Sequence, residues 1–296
     1  MSRDRATAPF VRRRMILALG WLVLFPGGLW GHPVLGHAHN DYEHDRPLVD
    51  ALEHGFEVVE ADVHLIDGDL QVSHLRPWVP KRSRTLRKLY LEPLMERFRE
   101  RGRIGEEDRP FFLMIDFKTD AEPTWAVLCE QLEVFRPMLT EFGRGEVLRQ
   151  GVVTVFISGN RPVGALSRAE TRLAALDGRP GELGRGWGPS LAPFVSAHYK
   201  SYFRWRGRGD PPADELEGFR RLCQAAEAEG KRVRLWGSPE SEKVWRVLIE
   251  AGADVINTDE LERFAAFRTS LADPGKKQGS MNGLPEPETT ECLAAY

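Results

Sequence analysis

Val58-Val59-Glu60-Ala61-Asp62-Val63 sets two carboxylates two residues apart inside an apolar run. Residues at i and i+2 of a β-strand face the same side, so Glu60 and Asp62 share one face. Carboxylates rarely sit among valines unless something cationic pairs with them. Upstream, Val34-Leu35-Gly36-His37-Ala38-His39-Asn40-Asp41-Tyr42 repeats the device, with His37 and His39 closing a short apolar run. Two imidazoles able to move protons, beside two hard oxygen ligands, point to metal-assisted acid–base chemistry.

Outward from these two stretches, β-type runs recur at Val34–His37, Val58–Val63, Phe111–Phe117, Val152–Ser158, Leu173–Leu176, Phe194–Ala197, Arg232–Trp236 and Asp254–Asn257. Helical patterns fill most gaps, at Pro47–His54, Leu86–Arg101, Pro123–Pro137, Pro162–Glu170, Pro212–Glu229 and Glu240–Ala251. Several open on proline or close on glycine. Eight strands interleaved with helices predict an α/β protein folded as a (β/α)8 TIM barrel. The competing open, doubly wound sheet lacks a glycine-rich phosphate loop after its first strand. Asp67-Gly68, between Val63-His64-Leu65 and Leu70-Gln71-Val72-Ser73-His74, predicts a short extra hairpin after strand two. Its second arm ends at His74, near the mouth where Glu60 and Asp62 emerge.

The 296 residues are 42% hydrophobic and 29% charged, enough for one large core. A formal net charge of −3 gives no reason to expect nucleic-acid binding. The basic run Lys81-Arg82-Ser83-Arg84 with Arg87-Lys88 reads as a solvated face, with an anionic surface as its other reading. Arg12-Arg13-Arg14 before the apolar stretch Met15–Phe25, then Pro26-Gly27-Gly28, has the form of an export signal. That stretch is too short to span a bilayer comfortably. The expected organisation is a signal peptide or N-terminal anchor over 1–31, the barrel over 32–268 and a disordered tail over 269–296. An exported monomer is expected, periplasmic or secreted, or held to a membrane through its N-terminal segment. Cys129, Cys223 and Cys292 lie far apart, with no metal-binding spacing.

In such a barrel, chemistry collects at the C-terminal ends of the strands. That rule gathers His37, His39, Glu60, Asp62, Asp116, Lys118, Ser158-Gly159-Asn160, Ser196, His198, Trp236, Asn257 and Asp259. Asp116-Phe117-Lys118 repeats the spaced pair at the end of another apolar run. Three carboxylates from two neighbouring strands make an oxygen-rich cage suited to Mg²⁺ or Ca²⁺. Zinc would need His37 and His39 as ligands. Trp236 is expected on the pocket floor and His64 in its wall, Asp45 as an N-cap, and Asp259 capping the last helix or touching substrate.

The order of these segments resembles the glycerophosphodiester phosphodiesterase and phosphatidylinositol phospholipase C superfamily, on the branch typified by altered-inheritance-of-mitochondria protein 6. The matching segments are His37-Ala-His-Asn-Asp-Tyr-Glu-His-Asp-Arg-Pro-Leu48, Val59-Glu-Ala-Asp-Val63, Asp67-Gly68, Val72-Ser-His74 and Leu113-Met-Ile-Asp-Phe-Lys118. Val155-Phe-Ile-Ser-Gly-Asn-Arg-Pro162, Phe203-Arg-Trp-Arg206 and Ile256-Asn-Thr-Asp259 extend the likeness from Pro33 to Phe267. The resemblance implies a metal-dependent phosphodiesterase acting on a small-molecule or lipid phosphodiester, with contact to a membrane surface among the expected partners. Glu60 and Asp62 are then metal ligands with Asp116 the third. His74 and either His37 or His39 are the acid and base, and Lys118 contacts phosphate. Asn40, Arg46, Trp236 and Asn257 complete the substrate-facing set.

Two positions depart from the pattern. Leu75 stands where many of these enzymes have an acid after the second histidine, and Tyr42-Glu43-His44-Asp45 replaces a Glu-Asn-Thr stretch. The His-x-His pair, with His198 and Asp259, also resembles a metal-dependent amidohydrolase, although such a site would leave Glu60, Asp62 and Asp116 unused. Leu75 further raises the alternative of a secreted, non-catalytic ligand-binding barrel.

Overall fold

Eight short apolar runs, each followed by a turn back across the outside, can satisfy their backbone groups only by pairing side by side. The computed structural model, which describes residues 34–106 and 109–272, closes them into a ring. The strands are β1 (Leu35–Ala38), β2 (Val58–Ile66), β3 (Phe111–Phe117), β4 (Val153–Gly159), β5 (Ala174–Gly178), β6 (Phe194–His198), β7 (Arg232–Trp236) and β8 (Val255–Thr258). Each pairs in parallel with its sequence neighbours, and β1 joins both β2 and β8. The chain is thus a TIM barrel. The expected export signal, the tail beyond Ala272 and Cys292 lie outside the described residues.

Outside the ring lie α1 (Val49–Glu53), α2 (Glu92–Arg101), α3 (Ala121–Phe135), α4 (Val163–Arg168), α5 (Ala213–Glu227), α6 (Glu242–Glu250) and α7 (Leu261–Ala272). Helix α7 runs past the expected domain end at residue 268. Helix α6 shows the packing rule at work. Val244, Trp245, Leu248 and Ile249 form its buried stripe, and Trp245 meets the Phe264 ring of α7 edge-on at 5.3 Å. Between β5 and β6 the chain makes only a 3-10 turn at Pro180–Glu182, because the segment Gly178–Gly188 is too rich in glycine to hold a helix.

The hairpin after β2 forms as the sequence predicts. Asp67 and Gly68 both take positive φ, 50° and 80°, and the arm Asp69–Val72 pairs antiparallel with β2. Three local features differ from expectation. Arg87–Leu91 winds as a π-helical turn before α2, and a small hairpin joins Glu141–Phe142 to Val147–Arg149. Helix α1 starts at Val49, behind a Leu48 with φ 65°, and the carboxylate meeting Leu48 N–H at 2.6 Å is that of Asp41 rather than an Asp45 cap.

Along each strand the inward positions fall into layers. An apolar cluster plugs the interior: Leu35, Val58, Phe112, Met114, Phe156, Ala175, Phe194 and Val255, with Phe142 of the small hairpin. Phe156 stacks on Phe194 at 4.5 Å between centroids. Above this plug the layer turns polar, and register decides which polar groups meet.

Candidate active site

Parallel register sets Asp62 of β2 directly beside Asp116 of β3, with Glu60 one inward step lower on β2. One oxygen from each of the three carboxylates lies within 4.8 Å of the others. Like charges this close need a cation, and Lys118 supplies one from the end of β3. Its Nζ donates to Asp62 Oδ2 at 2.9 Å and Asp116 Oδ1 at 3.0 Å. Burial pushes the Asp116 carboxyl upward, with the Glu60 and Asp62 charges adding to that and Lys118 opposing it. Burial opposes the charge on Lys118, yet the Asp116 and Asp62 carboxylates outweigh it and raise its pKa.

Two further observations favour a hard metal ion here. Asp62 Oδ1 is buried without a hydrogen-bond partner, while Oδ2 already meets Tyr42 OH at 2.8 Å, His74 Nδ1 at 3.1 Å and Lys118. Such an orphaned oxygen costs free energy unless something binds it. On β4, Gly159 has φ 66°, and a Cβ there would collide with the Asp116 carboxylate. Glycine leaves the space that the acid fills. The donors are oxygens, which suits Mg²⁺ or Ca²⁺. Among the described residues, this acidic trio is the group of three side chains able to hold a metal together, and no histidine belongs to it.

The two rim histidines each carry a carboxylate partner. His74 Nδ1–H donates to Asp62, and His39 Nδ1–H donates to Asp259 Oδ1 at 2.8 Å. In both rings Nε2 remains for substrate, the arrangement a general acid or base needs. Burial lowers the His39 pKa, but the Asp259 hydrogen bond and the Glu60 charge outweigh it, so the net shift is upward. Both rings line one cavity of about 820 Å³ with Asn40, Glu60, Asp116 and Lys118. Ser158, Arg179, Ser196, His198, Arg234 and Trp236 form its other side.

His37 stands elsewhere. It is fully buried one layer below the rim, with Nε2 3.1 Å from Glu60 Oε2 and Arg234 Nη1 3.2 Å from its Nδ1. Desolvation, then the Arg234 charge, hold its pKa well below the ordinary value. His37 packs against Glu60 and does not line the cavity, so of the two histidines at the end of β1 it is His39 that the structure brings to the cavity with His74. Arg234 belongs to no motif that marks a site, nor do Asp177 and Arg179. It donates to Asn257 Oδ1 at 2.9 Å and Ser196 Oγ at 3.1 Å, with Asp177 3.9 Å away. The Arg232-Val-Arg-Leu-Trp236 alternation was the available signal, since it turns Arg234 inward.

Other expected residues are redistributed. Arg46 forks onto Glu53 at 3.1 and 2.6 Å on exposed α1, away from the cavity. Asn257 is buried against Arg234 and supports the floor without lining it. Trp236 is 41% exposed on the rim, edge-on to His198 at 4.3 Å, and the Arg234 layer occupies the floor assigned to it. His64 packs beneath His74, its Nε2 3.4 Å from that residue's carbonyl, outside the cavity wall. Asn40 lines the cavity from a left-handed backbone at φ 45°. Asp259 turns its Oδ1 to His39.

Comparison with known proteins gives the same direction. A model of the AIM6-like phosphodiesterase domain matches residues 31–109, and one of the glycerophosphoryl diester phosphodiesterase family matches residues 232–262. The altered inheritance of mitochondria protein 6 homolog of Arthroderma benhamiae is 29% identical over 264 residues, spanning 77% of this chain and 82% of that protein. Altered inheritance of mitochondria protein 6 of Lachancea thermotolerans is 28% identical over 277 residues, 76% of this chain and 63% of that protein. A glycerophosphodiester phosphodiesterase structure from Parabacteroides distasonis shares the fold with a TM-score of 0.51 at 15% identity, covering 81% of this chain and 99% of that one.

Proposed function

Because the chain belongs to the glycerophosphodiester phosphodiesterase-like superfamily, on its AIM6-like branch, we infer that the rim is the active site of a metal-dependent phosphodiesterase. The observation that carries this reading is the convergence of two carboxylate-paired histidines and three clustered carboxylates on one cavity. A cavity of about 820 Å³ suits a small polar diester such as a glycerophospho headgroup. The cations Lys118, Arg179 and Arg234 on its walls suit an anionic one.

Glu60, Asp62 and Asp116 would hold a Mg²⁺ or Ca²⁺ ion, which when bound neutralises charge on the phosphoryl oxygens. Lys118, beside them, donates to a non-bridging phosphoryl oxygen. His74 takes the proton from a substrate hydroxyl vicinal to the diester, and that oxygen forms its bond to phosphorus. His39, whose protonated form Asp259 favours, gives its proton to the departing alkoxide as the old P–O bond breaks. Water then opens the cyclic phosphate with the two roles reversed.

The test is a set of phosphodiesters (glycerophosphocholine, glycerophosphoinositol, a lysophospholipid and sphingomyelin) offered with Mg²⁺ or Ca²⁺. Chelator-sensitive release of an alcohol, with cyclic phosphate seen by phosphorus NMR, is expected. Absence of cleavage across the set would instead favour the ligand-binding barrel.

A further inference from the structure

We propose that the loop Leu75–Arg82 docks the mouth of the barrel onto an anionic phospholipid bilayer. Leu75, Trp78 and Val79 are 77%, 101% and 72% exposed. Soluble surfaces scatter such side chains singly, and a cluster of them marks a contact. The loop is also pinned at its base. Gln71 bridges antiparallel to Thr85, and Val72 N–H donates to Arg84 O at 2.8 Å. Lys81 N–H donates to Gln71 Oε1 at 2.9 Å, and Ser73 Oγ–H to Leu75 O at 2.8 Å. Pro77 and Pro80 bracket Trp78-Val79 and restrict the backbone there. A braced scaffold therefore holds an indole and two aliphatic side chains out in water.

Charge identifies the occupant. From Leu70 to Leu91 the sequence holds no Asp or Glu, but carries Arg76, Lys81, Arg82, Arg84, Arg87 and Lys88. Arg84 donates to Tyr42 O, and Arg87 and Lys88 pair with Glu92. Arg76, Lys81 and Arg82 are exposed and make no side-chain ion pair among the described residues. Tryptophan flanked by unpaired cations suits the headgroup region of an anionic leaflet, where the indole sits at the interface and the cations meet lipid phosphates. The loop starts directly after His74, which lines the cavity, so docking sets the mouth against lipid headgroups. If the phosphodiesterase reading holds, on which this clause alone rests, the substrate is a bilayer phosphodiester.

The test uses the full chain with phosphatidylcholine–phosphatidylglycerol vesicles carrying brominated acyl chains. Bromine should quench a fluorescence component that Trp78→Phe lacks, which isolates this indole from the other tryptophans. Pure phosphatidylcholine should quench it far less, and Arg76→Gln/Lys81→Gln/Arg82→Gln should weaken partitioning about a hundredfold. Equal quenching of wild type and Trp78→Phe would overturn the proposal. So would shielding of Trp78 without lipid that grows with protein concentration, since the occupant would then be a second copy. Hydrolysis of a soluble diester, followed in parallel, separates the two readings. Turnover without Trp78 quenching sinks the docking alone, whereas quenching without turnover sinks the phosphodiesterase.

Discussion

Aspartate beside histidine is the recurring pair of this rim, and its two copies differ in exposure. Asp62 is buried under His74, while Asp259 is solvent-facing beside His39. Removing the Asp259 charge takes away the hydrogen bond and field that favour protonated His39, so its pKa falls. An acid that must be protonated is lost as pH rises through its pKa. Asp259→Asn should therefore move the alkaline limb of the kcat/KM profile to lower pH, and an unmoved limb would remove His39 from that role. His74→Ala should lower turnover about 10²–10⁴-fold while the circular dichroism melt stays unchanged, because the ring is mostly exposed. Near-wild-type rates would exclude it as a base. Sequence spacing alone left His37 and His39 equivalent, since i and i+2 share a face. Depth separates them: His37 is level with Asn257 in the β1–β8 register, inside the Arg234 layer, and His39 lies past the strand end.

The elements that place these residues were mostly legible. Phe111–Phe117 and Arg232–Trp236 coincide with β3 and β7 because apolar or alternating runs end at clear turn residues. The strands of the Glu141–Arg149 hairpin are two and three residues long, too short for any periodicity. The fifth strand runs Ala174–Gly178, past the expected end at Leu176, and takes Asp177 into the barrel. That carboxylate is tolerated inside the barrel because Arg179 and Arg234 answer it, a tertiary fact. The end of β4 gives a test at this scale. Gly159→Ala places a Cβ at positive φ and against the Asp116 carboxylate. A loss of about 1–2 kcal/mol is expected from the backbone conformation alone, together with a fall in turnover of at least about tenfold as Asp116 is displaced. Thermal melts and steady-state rates read the two separately, and unchanged rates would detach Asp116 from the chemistry.

Over the whole barrel, one guanidinium ties the ring together. Arg234 of β7 reaches His37 on β1, Glu60 on β2, Asp177 on β5, Ser196 on β6 and Asn257 on β8. Arg234→Gln leaves Glu60 without its buried cation while Asp177 keeps Arg179, a loss of about 3–5 kcal/mol for a broken buried pair. Denaturant unfolding should show it, and a shift under about 1 kcal/mol would mean the layer is not held this way. The apolar plug lies below and the polar layer above, matching the division of such barrels into a stabilising end and a loop-bearing end where sites are built. We propose that His39 and His74 together cleave a P–O bond at this acidic rim. Phosphorus NMR of glycerophosphoinositol incubated with the full chain and Mg²⁺ tests it most directly. A cyclic phosphate is expected with wild type and none with His39→Ala/His74→Ala. Equal cleavage by the double variant would contradict it.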